Sequence, residues 1–298
     1  MVQGHNPRNR YSLARLTVLL GTLTLLTACS MGQMVVRGSQ TILDSGIESM
    51  NRESDLQLAR DAMPANLKLL EGMLIEDPNN TELLIYAAEG FHGYSFGFVE
   101  IEDPARAKLL YHRCYAHAQQ ALKLAGVDVD PKSASTEAVE AAASKAGKKA
   151  VPALFWTASC LGKWINLSRD DMSLVASLAN TAILMQRVMD LDDEFYFGGP
   201  HIFFGVYYGG RAPMLGGDYA RAEAAFRRAA EINDNKLLIV DLLQAEFLDR
   251  QRLDQQAFHK RLTAIIDAPD DLYPAMALAN GIAKQRAAIL LGYEGDWF

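Results

Sequence analysis

The stretch GDYARAEAAFRRAAEINDN, residues 217–235, constrains the fold more than any other part of the chain. Ala222, Phe226 and Ala229 stand four and three apart, so they share one face of a helix. Small residues on either side of a large one let a second helix cross closely, while the large side chain fills the space beside the crossing. A helix built this way cannot bury that face alone, and it requires a partner helix. Similar patterns recur along the chain.

Ile75-Glu76-Asp77-Pro78-Asn79-Asn80 reads as a stop and turn between two such units. Behind it, Leu84, Ala87, Ala88 and Phe91 form a first helix. Ala107, Tyr111 and Cys114 form its second, opened by Asp103-Pro104, an N-cap followed by a first-turn proline. A third first helix holds Leu161, Gly162 and Ile165. Its partner covers about 172–190 and stops at Leu191-Asp192-Asp193. Asp234 replaces the proline that usually terminates such a hairpin. A further pair covers about 236–250 and 254–267, and a last helix about 273–291. The pattern is that of the tetratricopeptide repeat, a helical hairpin of about 34 residues, in degenerate and irregularly spaced form. The expected fold class is therefore all-α, with degenerate tetratricopeptide-like hairpins stacked in a curved array. It forms one domain over residues 41–298. Residues 126–152, rich in Ala, Lys and Glu, read as an inserted loop carrying a short exposed helix at about 135–145.

Ahead of that domain, residues 1–15 carry Arg8, Arg10 and Arg15 and no acidic residue. Residues 16–26 are an apolar run of signal-peptide length, too short to span a bilayer. The run ends in Leu26-Thr27-Ala28-Cys29, which resembles the lipobox of bacterial lipoproteins. That implies a signal peptide over 1–28, cleavage before Cys29, lipid attachment to Cys29, and a short tether over 29–40. By resemblance to the bacterial sorting rule, Ser30 in place of Asp favours the outer membrane. Loss of the leader's three arginines takes the net charge from −7 to −10. An acidic chain without a Lys/Arg run excludes nucleic acid as a partner. Cys114 and Cys160 can pair outside the cytoplasm. Lying inside helical stretches, they read first as small buried hydrophobes.

Two glycine-aromatic stretches invite a chemical reading. The first, FGGPHIFFGVYYGGRAPMLGGD, covers residues 197–218. It has no G-x-G and no Gly-Lys-Ser/Thr, so neither a dinucleotide fingerprint nor a P-loop is present. Phe203, Phe204, Tyr207 and Tyr208 recur at helical spacing. Gly205 and Gly209 share one face, where another helix can approach closely, and Arg211-Ala212-Pro213 ends the helix. The alternative is a smooth glycine-aromatic wall lining a pocket. In the second stretch, Gly93-Tyr94-Ser95-Phe96-Gly97 matches G-x-S-x-G. That motif marks a hydrolase nucleophile only on a strand-to-helix turn. A helix precedes it here, so it reads as a helix end followed by an aromatic loop. His112 and His117 are five apart, about 140° around a helix, so they do not share a metal with Cys114. Pairs such as Asp170-Asp171, Asp192-Asp193 and Asp270-Asp271 read as helix caps. Trp156 and Trp164 lie eight apart on one helix, as core or as a ligand-facing stack. No catalytic residue, metal or cofactor is expected.

The lipobox, the degenerate hairpins, Gly93-Tyr94-Ser95-Phe96-Gly97-Phe98-Val99-Glu100, and Pro213-Met214-Leu215-Gly216-Gly217-Asp218 followed by Ala222, Phe226 and Ala229 are together similar to one family. It is the T-component lipoproteins of tripartite ATP-independent periplasmic (TRAP) transporters. The resemblance covers about residues 40–298. It implies a non-catalytic, lipid-anchored periplasmic protein, expected on the inner leaflet of the outer membrane. Such a protein works beside a solute-binding protein in uptake of a small apolar or carboxylated ligand, and forms a homotrimer. It also suggests an interior surface lined by Tyr94, Phe96, Phe98, Phe203, Tyr207 and Tyr208; Trp156 and Arg211 are further candidates. The competing expectation is an outer-membrane scaffold for envelope assembly, holding peptide segments in an open groove.

Overall fold

A computed structural model describes residues 31–298; the leader and Cys29 lie outside the described residues. The helices are α1 (Met31–Gly38), α2 (Gln40–Asn51), α3 (Leu56–Glu76), α4 (Thr81–Tyr94), α5 (Pro104–Leu124), α6 (Thr136–Ala143), α7 (Val151–Asn166) and α8 (Met172–Val175). They continue as α9 (Leu178–Leu191), α10 (Phe195–Gly209), α11 (Tyr219–Ile232), α12 (Leu238–Gln244), α13 (Gln255–Asp267), α14 (Ala277–Gly292) and α15 (Glu294–Trp297). No strand occurs among the described residues, and the fold is all-α.

Acidic or amide side chains start many of these helices by accepting orphan backbone N–H groups. Asp55, Asn80, Asp103, Asp171, Asp218 and Asp254 all do so. Long helices pack on their neighbours in sequence, α3 on α4, α4 on α5, α5 on α7, α7 on α9 and α10 on α11. The last long helix, α14, returns to touch α2 and α3, so the array closes on itself. The small-large-small face of α11 is fully buried, with Ala222, Phe226 and Ala229 all at 0% exposure. On the facing helix, a Cβ added to Gly205 would meet the Phe226 ring. The glycines of the first aromatic stretch therefore serve close helix packing.

Four details differ from the sequence reading. Residues 31–38 of the tether are helical, and Arg37 bonds the buried Asp77 at 2.9 Å. The inserted segment packs against α9 rather than standing free. Val139 is buried, Asn180 donates to the Pro131 and Ala134 carbonyls, and Arg187 donates to that of Ala146. Cys114 and Cys160 form a disulfide joining α5 to α7, with Cα atoms 5.6 Å apart. The hairpin brings two buried positions face to face, at the ordinary spacing for a disulfide. Finally, no aromatic loop follows α4. The chain stays helical as a π-helical turn, Ser95–Val99. The Ser95 hydroxyl is buried and donates to the Phe91 carbonyl at 2.6 Å, which is helix back-bonding rather than a nucleophile's exposed turn.

Candidate ligand cavity

The array curves round a half-open cavity of about 1220 Å³, bounded mainly by α2, α3, α4, α7, α10, α12 and α14. Its walls are mostly aliphatic and aromatic. The volume exceeds the roughly 300–1,000 Å³ common for small-molecule sites.

Two helices present regular stripes to this space. On α4 and its π-helical extension these are Tyr86, Glu89, Gly93 and Phe96; on α7 they are Trp156, Ser159 and Lys163. Spacings of three and four put each set on one face. Glycine keeps the α4 face low, because a Cβ on Gly90 would meet Leu67 at 2.7 Å.

The lead-in to α10 forms a third wall. Tyr196, Phe197 and Gly198 all take left-handed backbone, with φ of 49°, 61° and 74°. Each such non-glycine residue costs on the order of 1–3 kcal/mol. The turn brings the Tyr196 hydroxyl to Glu89 Oε1 at 2.9 Å and sets Tyr196 edge-to-face with Trp156, centroids 4.9 Å apart. Pro200 then enters the right-handed part of α10, where a proline loses little in the first turn.

Of the residues singled out in the sequence, Phe96, Trp156, Phe203, Tyr207 and Arg211 line the cavity. Tyr94, Phe98 and Tyr208 lie elsewhere. Tyr94 and Phe98 are two residues either side of Phe96, roughly the opposite side of a helix, and Arg106 of α5 covers Tyr94. Tyr208 stacks on Phe204 under the Arg221 guanidinium of α11. Trp164 faces His112 and Tyr115 of α5, away from Trp156.

The π-helical turn also organises charge. It leaves the Phe96 carbonyl free to accept Arg286 of α14 at 2.7 Å. Behind Phe96, Glu100 accepts Lys163 at 2.9 and 3.0 Å and the Tyr111 hydroxyl, and Arg286 bridges Glu100 and Glu246. Burial opposes the Glu100 charge, but Lys163 and Arg286 outweigh it and hold the carboxyl at about 2. Lys163 and Arg286 also lie 4.7 and 4.0 Å from the Phe96 ring centre, as cations over an aromatic face do. Burial and the Lys163 charge push His92 down to about 3, so its ring is neutral.

Sequence reasoning missed Glu89, His92, Lys163 and Tyr196. The signal for the first two was present in the glycines. Gly90 and Gly93 mark the side of α4 that faces open space, and Glu89 and His92 flank them. Nothing in sequence announced the left-handed turn at Tyr196. Among the described residues, no cluster of His, Cys, Asp and Glu has the arrangement of a metal site.

A search of curated proteins finds no match. The family model described as TRAP transporter T-component matches residues 52–298, every helix from α3 onward. The match covers every cavity wall except α2, and the chain belongs to the T-component family of TRAP transporters.

Proposed function

We propose that the protein is a non-catalytic accessory of a TRAP transporter that associates with its periplasmic solute-binding protein and holds a small apolar or carboxylated ligand during uptake. In this reading residues 1–28 are removed and Cys29 carries the lipid that ties the protein to the inner leaflet of the outer membrane. The tether then leads into the domain over 41–298, which assembles as a homotrimer. One observation carries the reading: a chain of this family forms a half-open cavity of about 1220 Å³ with predominantly apolar walls. Walls with few hydrogen-bonding groups suit a small, largely apolar ligand better than a peptide, whose backbone needs such groups along its length. Phe96, Trp156, Phe203 and Tyr207 supply aromatic wall, and Arg211 stacks over Tyr207 at 4.0 Å at one edge.

The test is crosslinking in the native periplasm with the Cys29→Ala protein tagged at its C-terminus, followed by mass spectrometry. Capture of a TRAP solute-binding protein as the main partner supports the proposal. Capture of outer-membrane assembly factors instead makes the protein an envelope scaffold.

A further inference from the structure

Four cavity-lining residues carry charged groups, Glu89, Lys163, Arg169 and Arg211. Three of them are engaged by the protein itself. Lys163 is held by both oxygens of Glu100. Arg169 donates to Asn166 Oδ1, and Arg211 to the Tyr207 and Leu215 carbonyls. Glu89 differs. Its partner is the Tyr196 hydroxyl on Oε1, and no cation among the described residues pairs with it. A carboxylate in apolar surroundings without a counter-charge is driven to take up a proton. Burial pushes the Glu89 carboxyl up to about 7, with the Tyr196 hydroxyl opposing that rise.

The groups around Glu89 have the same neutral character. His92, one turn along α4, is an uncharged imidazole that faces the same space. Tyr86 precedes Glu89 on α4 and is engaged with Gln40 and Asp44 of α2. Ser159 and the ion-paired Lys163 face in from α7, and Tyr196 from the turn before α10. α3 contributes Asn66, α12 and the turn after it contribute apolar side chains and Gln251, and α14 contributes apolar side chains alone. Arg169 and Arg211 complete the charged set at the far ends of α7 and α10.

We propose that Glu89, in its protonated form and steadied by Tyr196, is the polar recognition point of the cavity, and that it takes the uncharged hydrogen-bonding end of an otherwise apolar ligand: an alcohol, an amide or an undissociated acid. This rests on the ligand-carrying reading above. A carboxylate ion entering there would lose its hydration beside Glu89 with no cation paired to that group to offset the loss. An ammonium ion enters a space where the Lys163 charge already reaches His92. Protonated Glu89 donates through its second oxygen, and His92 and Ser159 each offer a donor and an acceptor nearby.

The experiment uses the mature chain and Nile red, an uncharged fluorophore, as the cavity reporter. N,N-dimethyldodecanamide, whose amide only accepts hydrogen bonds, and dodecylamine compete for it at about pH 6 and about pH 8.5, on either side of the Glu89 transition. The amide is expected to compete about tenfold or more weakly at the higher pH, because ionised Glu89 no longer donates. Glu89→Gln removes that pH dependence, and Glu89→Leu weakens the amide at the lower pH. Circular dichroism verifies that both variants fold. Competition by the amide that is independent of pH in the wild type overturns the inference, as does dodecylamine competing as strongly as the amide at about pH 6, where Glu89 is uncharged. Nile red failing to bind at either pH contradicts the cavity reading itself, and the inference falls with it.

Discussion

A Cβ on Gly205 would stand 2.7 Å from the ring of Phe226, closer than real side chains approach. The ring is fully buried between α10 and α11 and cannot retreat without moving a helix. Gly205→Ala is therefore expected to lower stability by about 1–3 kcal/mol through overpacking. Gly72→Ala, on an exposed part of α3 with nothing within 4 Å, is expected to raise it by about 0.5–1 kcal/mol through helix propensity. Urea denaturation of the two variants decides the matter. Equal effects would show that glycine spacing in α10 has no part in helix packing.

A close-packing face at Gly205 and a buried face at Phe226 were each legible in sequence because both obey a helical period; that the two faces meet was not. The same holds for α4, α5 and α7, whose packing faces follow from Leu84, Ala87, Ala88, Ala107, Tyr111 and Leu161, all buried. What sequence could not convey is which side of a helix faces a void. Core and cavity wall both present apolar residues at the same spacing, so Tyr94 and Phe96 looked alike although they point to opposite sides. The π-helical turn and the left-handed turn at Tyr196 break the helical period itself, so a periodic reading passes over them. The disulfide depended on helix register across the hairpin, which spacing along the chain does not give.

The Cys114–Cys160 disulfide closes a segment of 46 residues between α5 and α7. Replacing both cysteines by Ala is expected to cost about 2–5 kcal/mol. The urea midpoint of the oxidised protein should fall to that of the double variant when reductant is added. A midpoint unaffected by reductant contradicts the pairing.

Glu100 and Lys163 form a buried ion pair at the edge of the cavity. Lys163→Met leaves two carboxylates to Arg286 alone, and a cost of about 3–5 kcal/mol is expected. Glu100→Gln combined with Lys163→Met removes both charges and should recover a large part of that loss. Simple additivity of the two single changes in a double-mutant cycle would contradict the coupling.

Three titrating groups around the cavity contribute to the pH profile of stability. Glu100, held at about 2, stabilises the fold above the ordinary carboxylate range, and that contribution is lost as pH falls through about 2. His92, neutral in the fold, binds its proton more tightly when unfolded. Its contribution is present above about 6.5 and shrinks as pH falls towards about 3. Glu89 acts in the opposite sense. The folded state binds its proton more tightly, so stability declines as pH rises from about 4.5 to about 7. Glu89→Gln should flatten that upper limb and leave the acid limb unchanged. Thermal unfolding across the range reads both limbs, and an unchanged upper limb contradicts the assignment.

Helix α2 lies over the cavity with Ile42, Ile47 and Met50 facing it, yet none of its residues is buried. Its polar fastening is Tyr86, which accepts from Gln40 and donates to Asp44. Tyr86→Phe is expected to speed release of Nile red several-fold with little change in global stability, because a weakly packed helix opens locally. Stopped-flow dilution measures the release, and an unchanged rate would show that the probe leaves by another route.

The proposed function requires the cavity to carry a small ligand. The most direct test is native mass spectrometry of the protein released gently from its own envelope, beside a Gly93→Phe variant. Gly93 lines the cavity with only the Met63 methyl near its Cβ position, at 3.8 Å, so a larger side chain can begin there and take up part of the cavity. A bound small molecule is expected on the wild type and is expected to be lost or depleted on the folded variant. A bound peptide instead, or the same adduct on both proteins, would contradict the proposed function.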